Sequence, residues 1–300
     1  MTESDPIVSQ AGRPRDARDT SPDAFAVQLA CLRNMSPAER IRRMCRMSRT
    51  VRKMAFDAIR RRHPRYDDHK VRRRFIELTY GTGLADVIGL TAQFPKAKSE
   101  AFPMSDTDDL VDALDPVLKA FRELGVRHFI GGSVASSFHG ATRTTMDVDV
   151  VCELLEREIP RFVAMLGDVY YVSEPAIRDA VRRRSCFNLI HLPTSFKVDV
   201  FVSRRRPFDD EAMRRATPER LGDGRVVDVP IASAEDSIVS KLEWYRLTDE
   251  TSERQWGDVA RLLSLLGDQA DVEYLRRAAA SVGVDDLLGR LLRPNGETAS

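Results

Sequence analysis

Cysteine is scarce in this 300-residue chain: Cys31, Cys45, Cys152 and Cys186 lie far apart and form no CxxC pair. That excludes a disulfide-built scaffold and, with no histidine or second cysteine at ligand spacing, a zinc finger. The five histidines make no HxxxH cluster and no Ser-His-Asp order stands out, so neither a zincin-type site nor a hydrolase triad is indicated. No run of about 18 apolar residues occurs, which leaves no candidate membrane span. Met1 to Thr20 is polar and charged without the apolar stretch of a signal peptide, so a cytoplasmic location is expected.

What the chain does contain is enough apolar material, 42% of residues, to bury at least one sizeable core. The formal net charge of +1 hides an asymmetry, because residues 31–75 alone carry roughly +12. An acidic partner is therefore expected for that segment, and contact with RNA or tRNA phosphates is one form of it. A solvated arginine face packing on the core accounts for the same charge. In the basic helical stretch from Ser36 to Tyr80 only Phe56, Tyr66, Phe75 and Tyr80 supply aromatic rings, too few to suggest a base-stacking platform.

The chain divides by composition. Residues 1–20 read as a disordered tail, since they lack the large apolar groups that would offset the entropy of ordering. Residues 21–90 read as a basic helical segment. Ser36-Pro37-Ala38-Glu39 has the form of a capping box opening a helix to about Arg62, and Asp67 or Asp68 can cap a second one through Tyr80. Residues 91–106, with Pro95, Pro103 and no clear period, read as a linker. A core spans 107–205. Its first helix carries Leu110, Ala113, Leu114, Val117, Leu118 and Phe121 on one stripe and stops at Gly125. Strands and helices then intermix without regular alternation, which predicts an α+β fold on a small mixed sheet. Residues 206–300 read as a helical C-terminal region, with Trp244, Leu247, Leu262, Leu265 and Leu266 as candidate core residues.

Three short motifs carry chemistry. In Asp147-Val148-Asp149-Val150 a strand's period of two puts both carboxylates on one face. Their repulsion is relieved by a hard divalent cation, or by solvent if the strand is an edge. Upstream, Phe129-Ile130-Gly131-Gly132-Ser133 reads as strand end, glycine turn and helix start, where backbone N–H groups can approach a phosphate and the Ser133 hydroxyl can join them. A turn that needs glycine only for positive φ fits the same residues. In Phe196-Lys197-Val198-Asp199-Val200-Phe201-Val202, Asp199 interrupts an apolar strand, so it either meets Lys197 or joins the two earlier aspartates.

The order Gly131-Gly132-Ser133, Asp147-x-Asp149, then Asp199 on a later strand resembles that of nucleotidyltransferases of the DNA polymerase beta superfamily. Among these the chain is similar to the small bacterial group that includes the AbiEii-type toxins, which carry a further Lys and an Arg/Asp pair on C-terminal helices. Lys241 and Arg254 with Asp258 could match those groups, and Arg143 stands where the family often has an arginine ahead of the paired aspartates. The resemblance covers about residues 108–266. It departs at Trp256-Gly257, where a lysine-containing stretch would precede Asp258, and in the basic segment ahead of the core.

The resemblance implies a nucleotidyltransferase core in which Asp147, Asp149 and Asp199 are catalytic and hold two Mg2+ ions. Gly131, Gly132, Ser133, Arg143, Lys197, Lys241, Arg254 and Asp258 would surround the nucleotide. It further implies an NTP substrate and transfer of its NMP to a hydroxyl of RNA or tRNA, protein or a small molecule. A toxin role with an antitoxin partner, and no membrane association, goes with it. The alternative is a catalytically silent module on the same fold that binds nucleic acid or protein.

Overall fold

The computed structural model describes residues 21–85 and 106–292. The tail expected at 1–20, and the expected linker apart from Asp106, lie outside the described residues. Within them the chain is α+β, a seven-stranded mixed sheet between helical N- and C-terminal segments.

Helix α1 is Pro22–Asn34, α2 Pro37–Arg62 and α3 Asp68–Tyr80. Helix α2 opens on the capping box, with the Ser36 hydroxyl accepting from Glu39 N–H and the Glu39 carboxylate accepting from Ser36 N–H at 2.7 Å. Asp67 caps α3. Helix α4, Asp108–Glu123, buries the stripe from Leu110 to Phe121. It ends at Gly125, whose φ of +68° is the left-handed stop that glycine adopts without strain.

The sheet follows in sequence as β1 His128–Ile130, β2 Asp147–Cys152, β3 Tyr170–Tyr171, β4 Cys186–His191, β5 Phe196–Val202, β6 Thr217–Leu221 and β7 Val227–Ile231. Their order across the sheet is β3-β4-β5-β2-β1-β7-β6. Strands β2 and β5 run parallel, whereas β1 and β2 are antiparallel. One face buries Val148, Val150, Val198 and Val200 against α4 and α6 (Ile159–Leu166), where Phe121 stacks on Phe162 at 5.0 Å. By the same parity the aspartates occupy the other face. Short helix α5, Gly132–Phe138, links β1 towards β2, and α7, Glu174–Arg183, precedes β4.

The region from 206 onward is not purely helical. After α8, Pro207–Arg215, the chain forms the β6–β7 hairpin before α9 Ala234–Leu247, α10 Glu253–Leu266, α11 Val272–Ser281 and α12 Asp285–Leu292. Pro218 in β6 and Pro230 in β7 mask these strands in the sequence. Pro218 is tolerated because β6 is a sheet edge, whereas Pro230 lies in β7, between β6 and β1, one residue before the Ile231 position that pairs with β1. Helices α9–α12 share a second core of Ile238, Leu242, Val259, Leu262, Leu275 and Leu287. Leu262 and Leu265 are buried as expected. Trp244 and Leu247 are not: they are 41% and 55% exposed, because α9 turns Ile238, Lys241, Leu242 and Tyr245 inward instead.

The N-terminal helices lie on the core. Ile59, Val71, Phe75 and Ile76 pack with Ile190 and Leu192 from β4 and its turn. Buried Arg52 pairs with Asp109 of α4 at 2.5 Å, and the Ser48 hydroxyl accepts from Thr145 N–H at 2.9 Å, two residues before β2. No helix among the described residues is long and apolar enough to cross a membrane.

Candidate active site

Asp149 and Asp199 sit opposite one another in the register of β2 and β5, as do Asp147 and Lys197. Two adjacent parallel strands therefore present three carboxylates and an ammonium on one patch of the sheet. The Lys197 ammonium lies 2.7 Å from Asp199 and 3.9 Å from Asp147, so Asp199 both meets its strand neighbour and joins the earlier pair. Thr145 donates its hydroxyl to Asp147 at 2.7 Å, which fixes that carboxylate at the mouth of the strand.

The glycine turn is built around Asp149. Gly131 N–H donates to the Asp149 carbonyl at 2.9 Å, and Ser133 N–H to its carboxylate at 3.3 Å. Gly132 has φ +54°, and a Cβ there would overlap the Asp149 carboxylate. Glycine is thus required twice at this position, by conformation and by the closeness of the acid.

A second charged cluster faces the first. Buried Asp258 of α10 accepts from Lys241 at 2.8 Å and from Arg143 Nε at 3.0 Å, and Arg143 also reaches the Ser133 hydroxyl. Burial raises the Asp258 carboxyl, but Lys241 and Arg143 outweigh it and hold it below the usual carboxylate range. The structure thus unites Ser133, Arg143, Lys241 and Asp258 across more than a hundred residues. It does not bring in Arg254, which is exposed and makes no ion pair with Asp258.

The first cluster is short of positive charge. Burial, then Asp147 and Asp199, push the Asp149 carboxyl up to about 6 despite Lys241. Burial likewise raises Asp199 against the pull of Lys197, and Asp199 Oδ1 is buried with no hydrogen-bond partner. An orphaned carboxylate oxygen beside an under-compensated acid fits a hard divalent cation. Among the described residues no three His, Cys, Asp or Glu side chains already converge as a ligand cage. Mg2+ does not need one, since it is commonly held by one or two carboxylates, with water and substrate phosphates completing its shell.

A cavity of about 520 Å3 opens from Gly132, Ser133 and Asp149 along the same face of the sheet. Its floor is Phe129, Val151 and Phe201, with Trp244 edge-on to Phe201 at 5.7 Å, and Arg184, Arg204 and Arg206 stand around it. Phe129 and Phe201 flank the glycine turn and Asp199 in sequence, and the period of two places Val151 and Phe201 on the aspartates' face, whereas no motif marks Arg184, Arg204 or Arg206. The arginines of α2 and α3 are largely engaged within the chain. Arg42 pairs with Asp223, Arg46 with Asp106, Arg60 with Asp68 and Arg74 with Glu77.

Residues 33–101 match the family of Rv0078B-related antitoxins. No curated protein sequence matches the chain. Among solved structures it is similar to the antibiotic-resistance factor ANT(2'')-Ia in solution, at 16% identity and TM-score 0.38, covering 62% of this chain and 96% of that one. It is also similar to an antigenic nucleotidyltransferase-like protein from Paracoccidioides brasiliensis, at 17% identity and TM-score 0.33, covering 64% and 96%. A third is the crystal structure of ANT(2'')-Ia with adenylyl-2''-tobramycin, at 20% identity and TM-score 0.37, covering 57% and 97%.

Proposed function

We propose that the chain is a metal-dependent nucleotidyltransferase that moves an NMP from an NTP to a hydroxyl acceptor. The observation that carries this reading is the register of Asp149 against Asp199, with the Gly132-Ser133 turn closed onto Asp149. Asp147, Asp149 and Asp199 would hold Mg2+, which when bound neutralises phosphate charge and orients the reacting oxygens. Asp258 keeps Lys241 and Arg143 beside Ser133, so positive charge is in place before a triphosphate arrives and needs no reorganisation. Asp199, its carboxyl raised by burial, is suited to take the proton of the acceptor hydroxyl. The acceptor oxygen then bonds to the α-phosphorus as the bond to pyrophosphate breaks. The floor of Phe129, Val151 and Phe201 offers a flat apolar surface for the nucleobase.

Incubation with each labelled NTP, Mg2+ and either total RNA or small-molecule acceptors tests the reading. Label transfer by the wild type and none by Asp149→Ala is the expected result. Salt-sensitive RNA binding without transfer under any condition would instead establish the silent binding module.

The antitoxin-family match within the first third of the chain supports a toxin–antitoxin role in which the segment related to an antitoxin is part of this chain. Growth arrest on expression that disappears with Asp149→Ala would support it, and unaffected growth would favour a non-toxic transferase.

A further inference from the structure

Tyr80, the last residue of α3, is tied to the site by two observations that no motif announces. Its hydroxyl is 2.7 Å from the Met146 carbonyl and 3.2 Å from the Ser195 carbonyl, the residues immediately before β2 and β5. Its ring lies under the Lys197 ammonium, 5.5 Å from the centroid, within the range of a cation–π contact. That ammonium is therefore held from below by an aromatic face and from the side by Asp199 at 2.7 Å and Asp147 at 3.9 Å. It occupies the flank of the carboxylates that a divalent cation on Asp199 would use. An ammonium and a divalent ion so close to one carboxylate compete, because each is repelled by the other and both are attracted by the same oxygens.

We propose that Tyr80 is a positioning residue for Lys197, which it holds as an internal counter-ion competing with divalent cations at Asp147 and Asp199. This rests on the carboxylate patch being a cation site, as the functional reading above has it. The neighbouring segment is thereby coupled to the charged patch, since Tyr80 belongs to the N-terminal helices while Lys197, Asp147 and Asp199 belong to the sheet. Cation entry onto Asp199 requires Lys197 to give up its 2.7 Å bond, and the Tyr80 ring opposes this by holding the ammonium at the carboxylates.

The test is Mn2+ binding to the full chain without nucleotide, followed by electron paramagnetic resonance, with NTP transfer measured separately. Lys197→Met is expected to tighten Mn2+ binding about tenfold, the order of effect of removing one close like charge. Tyr80→Leu should tighten it several-fold, and Tyr80→Phe, which keeps the ring, should bind like the wild type. In the Lys197→Met background Tyr80→Leu should add nothing.

Unchanged or weaker Mn2+ binding by Lys197→Met overturns the proposal. A Tyr80→Leu effect that persists without Lys197, or an equal effect of Tyr80→Phe, overturns it too, because Tyr80 would then act only by hooking the strand ends. If Tyr80→Leu does not fold, Lys197→Met and Tyr80→Phe still decide. Failure of every protein to bind Mn2+ would instead count against the cation site itself.

Discussion

Replacing Asp149 by Asn should abolish nucleotidyl transfer while making the protein more stable. The acid lies opposite Asp199 and two residues from Asp147, and its partial burial with their charge raises its carboxyl from 3.8 to about 6. About two pH units at 1.36 kcal/mol each correspond to roughly 3 kcal/mol of destabilisation by the ionised form. The side chain keeps some opening to the cavity, so solvent screening trims the expected gain to about 1–2 kcal/mol. Asn has the same shape, and its carbonyl oxygen can still accept from Ser133 N–H. A raised folded-state value means that the folded protein binds the proton more tightly than the unfolded chain. Wild-type stability is therefore lost as pH rises from about 4 to 6 and is level above that, whereas the variant has nothing to titrate there. Thermal denaturation in EDTA should show little advantage of Asp149→Asn near pH 4.5. Above pH 6.5 the advantage should be about 2–8 °C, at roughly 2–4 °C per kcal/mol for a chain of this size. Added Mg2+ and NTP should then raise the midpoint of the wild type alone. A variant that is less stable at pH 8, or whose advantage does not change with pH, would refute the account of Asp149 as an under-compensated, partly buried acid.

Three further outcomes follow from the same geometry. Gly132→Ala should lose both stability and transfer, because its Cβ meets the Asp149 carboxylate at a positive φ, and the denaturation midpoint together with label transfer checks it. Lys241→Met leaves Asp258 buried with Arg143 as its remaining cation and should cost about 3–5 kcal/mol, read from urea unfolding. Trp244→Ala removes an exposed ring from the cavity rim, so stability should move by less than about 1 kcal/mol. Its NTP affinity, by contrast, should fall about tenfold in equilibrium binding, the loss expected of one base–aromatic contact.

What could be read from the sequence was whatever depends on period and neighbours. Strand parity put Asp147 with Asp149 on one face of their strand and Lys197 with Asp199 on one face of theirs, and the β2–β5 register sets the two pairs side by side. The capping box at Ser36 and the stop at Gly125 are likewise local devices, legible because their partners lie within a few residues. The hairpin of β6 and β7 was hidden by Pro218 and Pro230, which argue against a strand in the sequence although here they stand opposite one another in the pairing. Trp244 and Leu247 looked like core because a single helix does not reveal which of its stripes another element covers. The family resemblance puts Arg143 near the nucleotide, and its residue type alone fits a surface loop equally well. Its tie to Asp258, 115 residues away, belongs to the packing of α10 on the core and has no periodic trace. Arg254 fails for the converse reason: spacing puts it on the face of Asp258, yet Lys241 and Arg143 already supply that carboxylate from other elements.

The same distinction bears on the N-terminal segment. Composition separates residues 21–90 from the core by a proline-containing stretch, and charge alone suggests an arm reaching for an acidic partner. In the fold, Ile59 to Ile76 share a core with β4, Ser48 satisfies Thr145 N–H, and Tyr80 meets the carbonyls that lead into β2 and β5. Thr145 in turn donates to Asp147. A chain of contacts thus runs from a segment matched by an antitoxin family to the first carboxylate of the proposed catalytic set, through one residue on each side of the boundary. Because a buried N–H left without its acceptor costs about 1–3 kcal/mol, the segment cannot shift without disturbing the strand mouth that carries Asp147. Arginine content describes the outside of these helices, and their inner face is what bears on the proposed active site.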